Sequence, residues 1–168
     1  MTEWTIAEIA VDHPDAVAIL REYLNDVASR YYGRPATEAE LNTALAEAPS
    51  DDLVAPTGAF LLARLGDGAP AGCVGTRVVE PGLTELTRMY VRPAHRGTGG
   101  GPRLVAAAEE VARLLGSKLM RLDTRHDLVE ARALYARTGY AEVTPFNQDK
   151  YADHWFAKPL TPTPRPRV

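Results

Sequence analysis

Residues 91–105 of this 168-residue chain read VRPAHRGTGGGPRLV, with four glycines between a β-branched segment and an alanine-rich one. Pro102 suits the first turn of a helix, because its missing N–H would be unpaired there. The preceding glycines let backbone N–H groups turn toward one point, and a helix N-terminus with exposed amides binds anions. Arg96 adds a guanidinium fork that matches phosphate oxygens. We interpret the stretch as a phosphate-binding, strand-to-helix loop; a loop whose glycines only form a tight turn is the alternative.

The segments before the loop are predicted to form a strand, two helices and three further strands. Loose alternation predicts a strand from Trp4 to Val11, and apolar spacing predicts a helix from Asp15 to Tyr31. Thr37 and Glu40 have the spacing of a capping box, which predicts the start of a second helix. Residues 58–93 read as three strands with short, glycine-containing links, and such links join antiparallel neighbours.

The segments after the loop alternate between helices and strands. A helix is predicted from Arg103 to Leu115, a strand over residues 118–124 and a second helix from Leu128 to Arg137. Two closing strands are expected within residues 140–146 and 151–160. The order predicts an α/β protein with a mixed, mostly antiparallel central sheet flanked by helices.

Composition limits the class of protein. The length fits one domain over residues 1–160, and the proline-rich residues 161–168 are expected to be a flexible tail. The net charge of −3 argues against nucleic acid or an anionic membrane as a partner. Residues 1–15 lack the pattern of a signal peptide, so we expect a cytoplasmic protein. The only cysteine, Cys73, rules out an internal disulfide and gives no zinc spacing, so we expect a buried strand residue and no metal.

The residues after the glycines narrow the identity of the phosphate ligand. A nucleoside triphosphate loop ends in Gly-Lys-Ser or Gly-Lys-Thr, which Pro102 and Arg103 exclude. A dinucleotide fingerprint would need glycine or alanine at Pro102 or at Leu104. Asp123, at the end of the following strand, is the one feature that favours it. A dinucleotide-binding enzyme therefore remains a weak alternative.

Two segments resemble the acetyl-coenzyme-A-binding core of the GNAT N-acetyltransferase superfamily: ELTRMYVRPAHRGTGGGPRLV at 85–105 and ARALYARTGY at 131–140. Arg96, Gly99 and Gly101 fill the superfamily's signature. The resemblance implies a single-domain, bacterial-type member whose sheet is splayed between its fourth and fifth strands, with the pantetheine arm of acetyl-coenzyme A in the gap. It implies that the arm pairs with the backbone of Met89, Tyr90 and Val91. It also implies that the pyrophosphate is held by Arg96, Gly97, Thr98, Gly99, Gly100 and Gly101.

The predicted reaction is attack of an amine on the thioester, and an alkyl ammonium must first lose a proton. The resemblance implies Glu85 as the base; the alternative is a glutamate that faces solvent or pairs with Arg88 or Arg103. Tyr135 matches the family tyrosine that protonates or hydrogen-bonds the leaving thiolate, and the alternative is a tyrosine packed into the core. A strand N–H near Tyr90 would meet the charge on the thioester oxygen.

The resemblance implies that the acceptor pocket is built by the loop between the first two helices, SRYYGRPAT at 29–37, and by the late strands, FNQDKYADHWFAK at 146–158. Its candidate residues are Tyr31, Tyr32, Arg34, His154 and Trp155, of which Tyr31 and Trp155 have a core position as the alternative. The expected partner is a small-molecule or peptide amine. Assembly into a homodimer is left open by the sequence.

The sequence departs from the family pattern at Leu128, where many members carry a cofactor-contacting asparagine. Residues 125–127 either substitute for it or form an ordinary polar loop. From a different functional class, the chain could be an acyl-coenzyme A sensor or a catalytically silent binding module.

Overall fold

The computed structural model describes residues 3–162, which form a seven-stranded sheet with four α-helices. The strands are β1 (Trp4–Glu8), β2 (Gly58–Leu65), β3 (Pro70–Glu80), β4 (Leu83–Val91), β5 (Leu119–Thr124), β6 (Ala141–Val143) and β7 (His154–Pro159). The helices are α1 (Pro14–Tyr32), α2 (Glu38–Glu47), α3 (Gly100–Leu114) and α4 (Val129–Arg137). The strand order is β1-β2-β3-β4-β5-β7-β6, and within residues 3–162 only β4 and β5 run parallel. The predicted mixed, mostly antiparallel α/β fold is confirmed.

The β4–β5 pair separates after three residue pairs. Leu83 pairs with Leu119, and the last pair joins Glu85 to Arg121. Beyond this point β4 continues to Val91 and β5 to Thr124 without pairing across the gap. The sheet therefore opens into a wedge between these strands, and the connection through α3 brings the glycine loop to its wide end.

The two faces of the sheet pack against different helices, because side chains along a strand alternate between faces. The α1 face buries Phe60, Leu62, Cys73 and Tyr90 with Ala16, Ile19 and Leu20. The opposite face, covered by α3 and α4, buries Leu61, Val74, Leu86 and Leu122 with Leu104, Val105, Leu134 and Tyr135. Cys73 is the buried strand residue that the sequence predicts, and burial raises the pKa of its thiol. Within residues 3–162 no helix has both the length and the apolar content needed to cross a membrane.

Several predicted boundaries shift. Helix α3 begins at Gly100 rather than at Arg103, because packing of its first turn outweighs the low helix propensity of glycine. Strand β1 ends at Glu8, and β6 is confined to Ala141–Val143. Val17, expected on the apolar side of α1, is 53% exposed, because the helix turns Ala16, Ile19, Leu20 and Leu24 to the sheet instead. Residues 163–168 of the predicted tail lie outside the described residues.

Candidate active site

A cleft of about 1090 Å³ fills the wedge between β4 and β5 and extends under α1, α2 and α4. It is large for a ligand pocket in a domain of this size. The predicted site residues in its wall are Tyr31, Tyr32, Glu85, Met89, Tyr90, Val91, Arg96, Gly97, Gly99, Gly100, Gly101 and Tyr135. Four other candidates, Arg34, Thr98, His154 and Trp155, do not line it.

Two of the loop glycines are required by backbone conformation. Gly97 has a φ of 78° and Gly99 a φ of 94°, in the left-handed region that favours glycine. Among residues 3–162, the N–H groups of Gly97, Thr98 and Gly99 donate to no protein acceptor. Gly99 is the N-cap of α3 and no side chain caps the helix, so the N–H groups of its first turn are also free. The loop therefore presents a concentrated set of unpaired donors at the positive end of a helix.

The other two glycines lie close to neighbouring side chains. A Cβ on Gly100 would lie 2.4 Å from the indole ring of Trp4 and would clash with it, whereas one on Gly101 would make only a tight contact, 3.2 Å, with the side chain of Leu134. Gly97, Gly99 and Gly100 thus have a structural reason that needs no ligand. The number of glycines alone does not support phosphate binding; the unpaired amides do.

Arg96 is held at the loop by the backbone and by acidic neighbours. Its Nε donates to the carbonyl oxygen of Val91 at 2.9 Å. Its terminal nitrogens lie 3.7 Å from Asp26 of α1 and 3.7 Å from Glu130 of α4. Arg30 also forms ion pairs with both carboxylates. This network of two arginines and two carboxylates links α1 to α4 across the loop. Its positive and negative charges cancel, so Arg96 does not present a free positive charge at the loop.

A β-bulge in β4 redirects its backbone beside the cleft. Leu86 and Tyr90 lie on opposite faces although four residues separate them, whereas an uninterrupted strand would place both on one face. The irregularity falls at Arg88, whose φ is +54°, unusual for a residue with a side chain. The Arg88 guanidinium donates to the carbonyl oxygens of Ala48 at 3.1 Å and Pro49 at 3.3 Å, beyond the C-terminus of α2. These bonds hold the α2–β2 segment against the bulge.

Glu85 lies at the closed end of the wedge with two arginine partners. Its Oε2 accepts from Nε of Arg121 at 3.0 Å, and its Oε1 lies 3.4 Å from Arg77. The sequence alternative named Arg88 or Arg103 as partners, and this is wrong. Arg88 bonds the segment after α2, and Arg103 donates to the carbonyl of Gly99. Arg77 on β3 and Arg121 on β5 pair in register with Glu85 on β4 and so lie on either side of it. The two arginines are distant from each other in sequence, so local patterns do not predict this arrangement.

Tyr135 is both packed and part of the cleft wall. Its ring makes an edge contact with Tyr140, at 5.9 Å between centroids, and a tilted contact with Phe156 at 6.0 Å. Burial raises the pKa of the phenol, so it remains protonated. Among residues 3–162 no group hydrogen-bonds to its hydroxyl. The side chain is thus a core residue with an unused donor at the cleft.

Three tyrosines cluster at the mouth of the cleft near α1. Tyr31 packs edge-to-face on Tyr32 and on Tyr151, with centroid distances of 5.4 and 5.3 Å. Tyr31 is 56% exposed, so the alternative of a core position is wrong. Arg34 stacks over Tyr32 and forms a bidentate ion pair with Glu40, which keeps it outside the wall. The candidate acceptor surface is therefore aromatic at its entrance.

The segment before α4 is a polar loop, and Arg125 of this loop also lines the cleft. Arg125 forms two hydrogen bonds with Asp127, and His126 lies 3.0 Å from His154 on β7. Leu128 presents an apolar side chain to the cleft, so the side chain at position 128 offers no hydrogen bond there.

Further residues that the sequence did not bring together line the cleft or support its wall. Asp123 is the penultimate residue of β5 and lies in the cleft wall, and its carboxylate accepts a hydrogen bond from Asn147. Trp155 lies behind Asn147 and donates to it. Tyr23 of α1 also lines the cleft and packs on Tyr90 at 6.0 Å. The signal available in the sequence is the strand-end position of Asp123, which by itself indicates only a dinucleotide site.

Comparison with known proteins identifies the class. The chain belongs to the acetyltransferase (GNAT) family, whose model matches residues 18–140. A Schizosaccharomyces pombe protein named an uncharacterized N-acetyltransferase is 32% identical over 136 residues, 80% of each chain. An acetyltransferase from Streptococcus agalactiae has the same fold, with a TM-score of 0.74 and 18% identity over 94% of this chain and 98% of its own. The PaiA N-acetyltransferase of Thermoplasma acidophilum, solved with coenzyme A, has a TM-score of 0.70 and 17% identity over 94% and 99%.

Proposed function

We propose that this protein transfers the acetyl group of acetyl-coenzyme A to a primary amine of a small molecule or peptide by direct attack in a ternary complex. The observation that carries the proposal is the open wedge between β4 and β5, which ends at the unpaired amides of Gly97 to Gly99. Membership of the GNAT family and the coenzyme A complex of a relative with the same fold support it. The proposal includes the cytoplasmic location expected from the sequence.

The cosubstrate would lie along the wedge with its pyrophosphate over the glycine loop. The free N–H groups and the α3 N-terminus would hold the phosphate oxygens, with Arg96 turning from Asp26 and Glu130 toward them. The pantetheine arm would follow the open edge of Met89 to Val91. The cleft volume leaves room beyond the arm for an acceptor beneath α1 and α2.

The chemistry needs a free amine, a stabilised oxyanion and a route for the leaving thiolate. As the N–C bond forms, the carbonyl π electrons move to the thioester oxygen, which an amide at the β4 bulge would stabilise. When the intermediate collapses, the C–S bond breaks and its electrons go to sulfur. The neutral hydroxyl of Tyr135, free of protein partners in residues 3–162, would donate to that sulfur.

The second candidate function is a silent acyl-coenzyme A-binding module. It is favoured by one observation: Glu85, the predicted base, is held by Arg77 and Arg121. A dinucleotide-binding enzyme is not supported, because residues 3–162 contain one parallel strand pair instead of a doubly wound parallel sheet.

Turnover separates these functions. Release of free coenzyme A thiol from acetyl-coenzyme A is measured with spermidine, tyramine, L-lysine, L-glutamate and a tetrapeptide with a free N-terminus. We expect acetylation of at least one amine, confirmed by the mass of the product. Binding of acetyl-coenzyme A without turnover of any amine in this panel would overturn the enzyme proposal in favour of the binding module.

A further inference from the structure

Asp123 occupies the edge of the wedge opposite the β4 bulge. The parallel register pairs Glu85 with Arg121, so Asp123 stands two residues beyond the last pair, level with Thr87 across the gap. Leu122 packs on the α3 side, and alternation therefore directs Asp123 to the α1 side, where the acceptor cavity opens. Asp123 is thus a carboxylate in the separated part of the sheet, whereas Glu85 lies in the closed part.

A hydrogen-bond chain fixes the Asp123 carboxylate from behind. Trp155 Nε1 donates to Oδ1 of Asn147 at 3.0 Å, and Asn147 Nδ2 donates to Oδ2 of Asp123 at 2.8 Å. The N–H of Asp149 also donates to Oδ1 of Asn147, at 3.2 Å. The indole N–H can only donate, so the amide oxygen must face Trp155 and the amide nitrogen must face Asp123. These hydrogen bonds orient Oδ2 of Asp123, and none of them involves Oδ1 of Asp123.

We propose that Asp123, and not Glu85, accepts the proton of the acceptor amine, with Asn147 and Trp155 as positioning residues. The proposal rests on the proposed acetyltransferase function and assigns the base within the same cleft. A base held in orientation by a second group, which a third group holds in turn, is a recurring arrangement at sites of proton transfer.

Glu85 is unsuited to the role because of its partners. Its Oε2 accepts a hydrogen bond from Arg121, and its Oε1 faces Arg77. Both oxygens therefore already have protein donors, and neither is left free to contact an amine. Its position joins β3, β4 and β5 at the base of the wedge, which fits a structural role.

The surroundings of Asp123 favour proton uptake. Asp123 is exposed to the open cleft, and partial loss of water around its carboxylate raises its pKa; the negative charges of Asp149 and Glu85 add to the rise. The hydrogen bond from Asn147 and the positive charge of Arg77 act in the opposite direction. The net effect is a pKa above the ordinary value for aspartate, which narrows the gap to the pKa of an alkylamine.

Two tyrosines line the cleft from the helices on either side of the sheet. Burial is the main cause of the raised pKa of Tyr23 on α1 and of Tyr135 on α4, and the negative charge of Asp123 adds to it. Both phenols therefore remain neutral. Asp123 and Tyr135 line the same cleft, with Asp123 directed to the α1 side of the sheet and Tyr135 packed on the α3 and α4 side.

Protons and electrons balance in the proposed step. The ammonium gives one proton to Asp123, and the free amine attacks the thioester carbon. The proton that remains in excess on nitrogen passes to water as the C–S bond breaks, and the thiolate receives the proton of Tyr135. Tyr135 regains a proton from water and Asp123 releases its proton to water. The net products are the amide, coenzyme A thiol and one proton.

The test compares the pH dependence of kcat/KM for Asp123→Asn, Glu85→Gln and a matched control, Asp12→Asn, at an exposed position outside the cleft. The probe is the amine of the panel that wild type acetylates fastest. Asp123→Asn is expected to lose about 10²-fold at neutral pH and to recover as free amine becomes abundant at high pH. Glu85→Gln is expected to show a smaller loss that is equal at every pH, and Asp12→Asn to match wild type.

The positioning role of Asn147 has its own readout. Its hydrogen bond lowers the pKa of Asp123, so Asn147→Ala should shift the acidic limb of the kcat/KM profile upward while turnover falls. The carboxyl ¹³C titration of Asp123 should move in the same direction in the absence of any substrate. Trp155→Phe, which keeps an aromatic ring and removes the N–H, should give a smaller change of the same sign. An unchanged Asp123 titration in Asn147→Ala would overturn the positioning role.

Failure of this inference is distinguishable from failure of the proposed function. Wild-type turnover together with a fully active, folded Asp123→Asn, or with the pH-dependent loss at Glu85→Gln instead, overturns the assignment of Asp123 alone. Absence of wild-type turnover with every amine of the panel overturns the function itself. Calorimetry with acetyl-coenzyme A on each variant, expected to give wild-type affinity, separates a lost base from a lost cosubstrate site.

Discussion

The indole of Trp4 packs directly against Gly100, so that a Cβ on this glycine would lie 2.4 Å from the six-membered ring. The Trp4 Nε1 group also donates to the carbonyl oxygen of Thr98 at 3.3 Å. The first strand of the sheet thus supports the glycine loop from below, and the loop geometry depends on a residue 94 positions away from Thr98.

Gly100→Ala is therefore expected to disturb the loop. Its methyl group must displace the Trp4 ring, and overpacking of this kind costs about 1–3 kcal/mol. We expect a lower melting temperature and weaker acetyl-coenzyme A binding by calorimetry. The control is Gly66→Ala in the β2–β3 turn, where an added Cβ meets nothing within 4 Å. Equal behaviour of the two variants would contradict the packing role of Gly100.

Glu130→Gln is expected to tighten acetyl-coenzyme A binding, because the Glu130 carboxylate competes with a pyrophosphate for Arg96. The gain should be about two- to fivefold for a half-exposed charge and should shrink at high salt. Arg96→Ala, measured beside it, should weaken binding. Weaker binding by Glu130→Gln would show that the carboxylate supports the loop and does not compete with the ligand.

Tyr135→Phe is expected to separate chemistry from packing. The hydroxyl has no protein partner within residues 3–162, so its removal should change stability by less than about 0.5 kcal/mol. Turnover should fall about 10²-fold if the hydroxyl protonates the thiolate. Tyr135→Ala removes the packed ring as well and should destabilise by about 3–5 kcal/mol. Full activity of a folded Tyr135→Phe would remove the hydroxyl from the mechanism.

The contribution of Glu40, at the start of α2, to the stability of the fold should depend on pH. The ion pair with Arg34, with the N–H of Thr37 as a second partner, lowers the pKa of Glu40 from 4.5 to about 2. A lowered carboxyl pKa stabilises the fold above pH 4.5, and this contribution disappears as the pH falls toward 2. The melting temperature of Glu40→Gln should thus lie below wild type at neutral pH and approach it across that window. A constant difference would contradict the ionic origin.

The order of the elements was predictable because it depends on local patterns. The capping box at Thr37 and Glu40 is present as expected, and the short links between β2, β3 and β4 give antiparallel pairs. The wedge between β4 and β5 was predictable from the resemblance of residues 85–105 to a known family, and periodicity alone would not have shown it.

Features that depend on contacts distant in sequence were not predictable. The bulge at Arg88 has no glycine to mark it, because the bonds of its side chain to the α2–β2 segment support the left-handed backbone. The contact of Trp4 with Gly100 joins the first strand to the third helix. The link from Asn147 to Asp123 depends on a loop folding back over β5, which no short-range pattern encodes.

The central claim, that the wedge between β4 and β5 holds acetyl-coenzyme A, is tested most directly by isothermal titration calorimetry of the wild-type protein with acetyl-coenzyme A and, in parallel, with NAD. We expect one acetyl-coenzyme A bound per chain, with affinity reduced in Arg96→Ala, and far weaker binding of NAD. No binding of acetyl-coenzyme A, or binding of NAD with equal affinity, would contradict it.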